Sequence, residues 1–178
     1  LGHTISGLSI SLSDLGNGNT DTGLFGGTRG ALISNVGIID PSITITGAST
    51  YTGALVGLAQ DTNIYNSYVK SSDPTKKITS GSYVGGLVGG FGSGTLTGAG
   101  TSIISGSYAN IIVEGDDSSG GLVGAVYRYP SGYENAIVDS YAKGNVTTIN
   151  SMAGGLIGLV DSGNDGHINL NNVYATGN

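Results

Sequence analysis

Five times along the chain a small residue and a leucine open a short apolar stretch that closes on glycine: Gly23-Leu24-Phe25-Gly26, Ala54-Leu55-Val56-Gly57, Gly86-Leu87-Val88-Gly89, Gly121-Leu122-Val123-Gly124 and Gly155-Leu156-Ile157-Gly158. The leucines are 31, 32, 35 and 34 residues apart. A nearly fixed period of this length is the signature of a solenoid. A unit of this size cannot bury its own apolar face, so successive units must stack and complete one another's core.

A second landmark runs in phase with the first: Ile33-Ser34-Asn35-Val36-Gly37, Ile64-Tyr65-Asn66-Ser67-Tyr68, Ile104-Ser105-Gly106-Ser107-Tyr108, Ile137-Val138-Asp139-Ser140-Tyr141 and Leu170-Asn171-Asn172-Val173-Tyr174. Each leucine precedes its aliphatic partner by 9, 9, 17, 15 and 14 residues in turn. The surplus in the last three units falls at one place, which in a solenoid makes loops that leave the stack on one side. Such loops are expected near 89–103, 125–136 and 159–169. His3-Thr4-Ile5-Ser6-Gly7-Leu8-Ser9-Ile10 aligns with Ala31-Leu32-Ile33-Ser34-Asn35-Val36-Gly37-Ile38, and the chain ends shortly after Tyr174. Residues 1–178 therefore read as a single β-solenoid domain that begins and ends in mid-coil.

The apolar runs are short, rich in Val, Ile, Thr and Tyr, and broken by Gly and by Ser-Asn-Asp clusters, which favours strands over helices. Glycine occurs 34 times, but beside Leu, Val and Ile at regular places, so it marks tight turns and close backbone approaches rather than a flexible tract. The expected fold is a right-handed parallel β-helix of about five coils, three short strands to a coil, and about 25 Å long at the spacing of neighbouring strands. Leu24, Leu55, Leu87, Leu122 and Leu156 should form one buried ladder, and Ile33, Ile64, Ile104, Ile137 and Leu170 a second. Tyr68, Tyr108, Tyr141 and Tyr174 are expected to stack along one edge.

Twelve acidic and six basic residues give a net charge of −6, and the one basic pair is Lys76-Lys77, so the clustered cations that neutralise phosphates are missing and no nucleic acid is expected as partner. There is no cysteine, hence no disulfide or thiolate metal site. No apolar run approaches the roughly 20 residues that span a bilayer, so no membrane insertion is expected in this segment.

The repeat resembles the GLUG motif, built around Gly-Leu-Val-Gly, introduced by a segment like Gly2-His3-Thr4-Ile5-Ser6-Gly7-Leu8 and followed by a Ser-Tyr-Ala element as at residues 107–109 and 140–142. Residues 86–89, 121–124 and 155–158 carry the likeness most fully. Proteins with such repeats are mostly large bacterial, sometimes archaeal, surface or secreted proteins. The resemblance implies an extracellular or cell-surface β-solenoid serving as stalk, spacer or adhesive surface, and it brings no catalytic residue with it. Ala54 in place of the first glycine and Gly37 in place of tyrosine depart from the pattern.

The insertion loops are the candidate ligand surface. Tyr127, Arg128, Tyr129 and Tyr133, with Phe91 from the preceding loop, would form an amphipathic patch of the kind that stacks on sugar rings or anchors a host protein; the plainer reading has these rings covering the flank. Asp161, Asn164 and Asp165, and separately Glu114, Asp116 and Asp117, are oxygen-rich groups of the type that hold calcium, without a recognised calcium-loop spacing; no other cofactor is indicated. His3 and His167 stand at opposite ends of the stack. Asp139 occupies the Asn/Gly position of other coils, which gives it a structural role. Thr44-Ile45-Thr46 occurs once, against the repeated threonine arrays that bind ice. Asn145-Val146-Thr147 is a glycosylation-type sequon. No metalloprotease, nucleophile-elbow or phosphate-loop motif is present, so no enzyme activity is assigned. Two functions are expected: a structural module that joins other copies, or adjoining repeats, end to end through open terminal coils; or an adhesin that binds glycan or protein through the tyrosine-rich loops.

Overall fold

The computed structural model describes residues 2–13, 20–46, 51–92, 101–127, 134–161 and 167–177, and every regular element among them is a β-strand. Each coil carries five short strands, as in Val36–Ile39, Ser42–Thr46, Tyr51–Gly53, Val56–Gln60 and Asn63–Tyr65. Strands in the same position of successive coils pair side by side and parallel, giving five sheets, here numbered first to fifth in that chain order. The first sheet is six strands deep and the others five. The chain is thus a parallel β-solenoid.

Five strands per coil replace the three expected, because the corners are closer together than the apolar runs suggest. Asn35, Asp40 and Asp61 adopt left-handed backbone at φ 58°, 52° and 48°, as do Asn66, Asp139 and Asn172 at 49°, 49° and 51°. Asn and Asp tolerate that conformation better than other residues with a β-carbon. Each such residue stops a strand after a few residues; Asn35, Asn66, Asp139 and Asn172 recur at one corner, whereas the corners at Asp40 and Asp61 leave no repeated letter in the sequence.

The N-terminal register also differs from expectation. His3 pairs with Val36 and Ile5 with Ile38, so the first strand belongs to the first sheet and lies five residues away from the alignment of His3 with Ala31. Ile5-Ser6-Gly7 imitates Ile33-Ser34-Asn35, but Gly7, at φ 70°, makes the turn that Asp40 makes one coil later.

The Gly-Leu-Val-Gly segment is the corner between the third and fourth sheets. Leu87 points inward and is fully buried, while its N–H and that of Val88 both donate to the Leu122 carbonyl, at 3.0 and 3.1 Å. The closing glycine lets two backbones touch: a β-carbon at Gly124 would lie 2.6 Å from the Gly89 carbonyl oxygen and 2.7 Å from the Val84 nitrogen. Leu55 and Leu122 are as buried as Leu87, whereas Leu24 and Leu156, in the first and last coils, are only partly covered. In the fifth sheet Ile33, Ile64, Ile104, Ile137 and Leu170 pair in direct succession. The first four are buried; Leu170 is 45% exposed, a departure from the expected ladder, since its strand is the outermost of the fifth sheet and is packed on one side by Glu134–Val138.

The Asn-Ser-Tyr element is a second corner, and each residue has a separate task. The first makes the left-handed turn. The serine hydroxyl turns inward, donating to the carbonyl two residues back and accepting the backbone N–H of the preceding coil: Ser107 Oγ bonds Ser105 O at 2.9 Å and Ser67 N at 3.1 Å, and Ser140 Oγ bonds Val138 O at 2.7 Å and Ser107 N at 3.2 Å. The tyrosine faces outward. Tyr68, Tyr108, Tyr141 and Tyr174 stack with centroids 5.1, 4.9 and 4.9 Å apart and ring planes within 7° of parallel. Gly37 ends this stack because the Tyr68 ring fills the space where its side chain would be.

Candidate functional site

Pairing continues further into the insertions than the spacing implies. Gly90, Phe91 and Gly92 pair with Ala125, Val126 and Tyr127, and Thr101–Ser105 pairs with Glu134–Val138. Val160 and Asp161 pair with Val126 and Tyr127, and His167–Asn171 with Glu134–Val138. The expected loops 89–103, 125–136 and 159–169 therefore begin and end as strands. Their middles, 93–100, 128–133 and 162–166, lie outside the described residues, and Arg128, Tyr129 and Tyr133 lie with them.

Of the proposed ligand surface, the structure places Phe91 in the core with no exposed area, which removes it from any binding role. It is buried because its strand lies between Val56–Gln60 and Val123–Tyr127, with its row neighbours Ala59 and Val126 also inside. Tyr127 is half-buried. Its ring meets Tyr51 and Tyr83 edge-on at 5.4 and 5.6 Å, while those two stack at 5.3 Å. Tyr127 thus packs on the flank where the third and fourth sheets meet, and burial holds its phenol protonated well above the ordinary range.

Of the two acidic groups, Asn164 and Asp165 lie outside the described residues, and Glu114 is engaged with the neighbouring coil. Glu114 accepts from Lys77 at 2.8 Å in a half-exposed ion pair on the second sheet, and the Asp117 carbonyl accepts from the Thr148 hydroxyl at 2.7 Å. Asp139 is at a left-handed corner and accepts from the Asn172 amide at 2.6 Å. Among the described residues no three His, Cys, Asp or Glu side chains come together in a way that could hold a metal ion. Thr44, read as unrepeated, stands in register with Ser11 and Thr79, and the row continues through Glu114 to Thr147. Glu114, with its ion pair, interrupts that hydroxyl row.

The two ends of the stack are a different kind of surface. In the fourth sheet Phe25 pairs with Val56, whose row runs on through Val88 and Val123; Phe25 is 41% exposed and the other three are buried. At the far end, Val160 follows the buried row Ala59, Phe91 and Val126 and is 44% exposed, and Leu170 likewise ends the buried row of the fifth sheet. Inward positions that every middle coil buries are uncovered at both ends. Unpaired strand edges accompany them, since among the described residues the outermost strand of each sheet has a partner on one side only. The mid-coil ladders could be anticipated from the repeat, but Val160 carried no signal of its own.

Comparison with protein-family models, with curated proteins and with solved structures finds no match to this chain.

Proposed function

We propose that the chain is an extracellular structural module, a stalk, spacer or fibre-forming segment of a bacterial or archaeal surface protein of the GLUG-motif type, which associates end to end through its terminal coils. The observation that carries this reading is the contrast within single rows: Ala59, Phe91 and Val126 are buried, and Val160, the next residue in their register, is not. A further coil laid on either end would cover the same row and pair the open strand edges. Open edges over an apolar face are an aggregation hazard unless covered. Head-to-tail contact keeps the strands parallel, uses two different surfaces, and so propagates instead of closing. The likeness of the repeat to surface-protein repeats, and the small share of charged residues, 10%, support a module built for stacking.

Sedimentation velocity over a concentration series tests this. The chain should move to progressively larger species as concentration rises, and Val160→Lys with Leu170→Lys should hold it as a monomer with its circular dichroism unchanged. A chain that sediments as a monomer throughout, or a double variant that assembles as well as the parent, would overturn the reading.

A further inference from the structure

At the corner between the first and second sheets the coils do not match. Two residues, 40–41, bridge the strands Val36–Ile39 and Ser42–Thr46, and a single one, Ile111, bridges Tyr108–Asn110 and Ile112–Gly115. Six residues, 71–76, bridge Tyr68–Lys70 and Lys77–Ser80 in the coil between them. The surplus forms an exposed wall with internal bracing. Ser71 Oγ donates to Asp40 Oδ1 at 2.7 Å, and Lys76 N donates to the Asp73 carbonyl at 3.0 Å. The Asp73 carboxylate accepts the Thr75 N–H at 2.9 Å and its hydroxyl at 2.6 Å.

Two recesses, of about 220 and 200 Å³, lie against this wall and share Ser71, Ser72 and Asn110, so they adjoin, and their lining includes Asp40 and Asp73 as well as Lys70, Lys76 and Lys143. Taken together as one groove, they reach from Asp40 past Asn110 to Asn145, across successive coils. Four of the chain's six basic residues, Lys70, Lys76, Lys77 and Lys143, gather at this corner of a molecule whose net charge is −6. Lys77 is paired with Glu114. Lys70 and Lys143 instead rest on the stacked tyrosines, 5.5 Å from the Tyr68 centroid and 5.0 Å from that of Tyr141.

Lys70 pairs with Asn110, and the Lys143 N–H bonds the Ala109 carbonyl, so the two lysines stand one coil either side of Asn110. Two coil steps put them about 10 Å apart along the axis. Charges at that interval, with amides between them, suit a linear polymer that carries one acid group per disaccharide and hydroxyls elsewhere. Nucleic acid fits poorly, since its phosphates are more closely spaced along the axis than these two cations. We propose that this groove binds a linear acidic polysaccharide of the uronate type, laid along the solenoid with carboxylates on Lys70 and Lys143 and hydroxyls on Asn110 and Asn145. The site lies on the flank and operates whether or not the ends associate.

Calorimetric titration with a hyaluronan oligosaccharide, which carries one carboxylate per disaccharide, against a neutral chitin oligosaccharide of equal length, tests the proposal. The acidic oligomer should bind, and its affinity should fall as sodium chloride is raised, because exposed charges are screened within about 10 Å at 0.1 M salt. Lys70→Gln with Lys143→Gln keeps much of each aliphatic stem on its tyrosine and should weaken binding roughly tenfold with the melt unchanged. Arg29→Gln, which removes one positive charge outside the groove, should leave the affinity as it is. Equal binding of the neutral oligomer, full affinity in the double variant, or no binding of the acidic oligomer would each overturn it.

Discussion

Replacing Ser107 by alanine removes one oxygen from a position with no exposed area, and the consequence follows from its two hydrogen bonds. The hydroxyl donates to the Ser105 carbonyl and accepts the Ser67 N–H. That carbonyl also receives the Asn66 N–H at 3.0 Å, so it stays satisfied in the variant. The Ser67 N–H does not, because no other acceptor stands opposite it in the ladder. A buried donor left without a partner costs about 1–3 kcal/mol. For a chain of this length that is a fall in melting temperature of roughly 3–10 °C. Thermal melts by circular dichroism give the total, and amide hydrogen exchange locates it: the Ser67 amide should lose protection before its neighbours in Tyr68–Lys70. Ser34→Ala, at an exposed strand position, should shift stability by no more than about 0.5 kcal/mol. An unchanged melt together with unchanged exchange at Ser67 would refute the idea that the serine file ties the coils together.

Leu87→Ala should cost about 2–5 kcal/mol by opening a cavity between filled coils, and Leu156→Ala, already partly exposed, distinctly less; urea unfolding of the two variants measures the difference. Gly124→Ala forces a β-carbon against the Gly89 and Val84 backbones and should destabilise by about 3 kcal/mol in the same assay. Burial raises the phenol pKa of Tyr51, Tyr108 and Tyr127. Their contribution is therefore complete below the ordinary tyrosine value near 10 and is lost as pH rises beyond it, since the unfolded chain gives up its protons first. The urea midpoint should drop above about pH 10, and Tyr127→Phe should make that drop shallower.

The sequence made the middle of the stack legible because an inward position that recurs at the coil period must be filled in each coil, and Leu55, Leu87 and Leu122 with Ile64, Ile104 and Ile137 meet that demand. Burial at the ends depends on a neighbour that the residue itself does not specify, so Leu24, Leu156 and Leu170 look the same in sequence and differ in exposure. The corners at Asp40 and Asp61 escaped because Gly7 and Gly30 make the same turns one coil earlier with a different letter. Phe91 was misread for a related reason: flanked by glycines, it resembles a loop, yet its strand is paired on both sides. The wall at 71–76 did leave a trace, since 23 residues separate Ile64 from Leu87 and only 18 separate Ile104 from Leu122. The groove beside it needed the register, which alone places Lys70 and Lys143 on either side of Asn110.

The claim that these coils are made to continue into others is tested most directly by electron microscopy of the purified chain over a concentration series. Rods that lengthen with concentration at constant width, with a meridional repeat near 4.8 Å, are the expected result. Short particles of one size at every concentration, each no longer than five or six stacked strands, would contradict it.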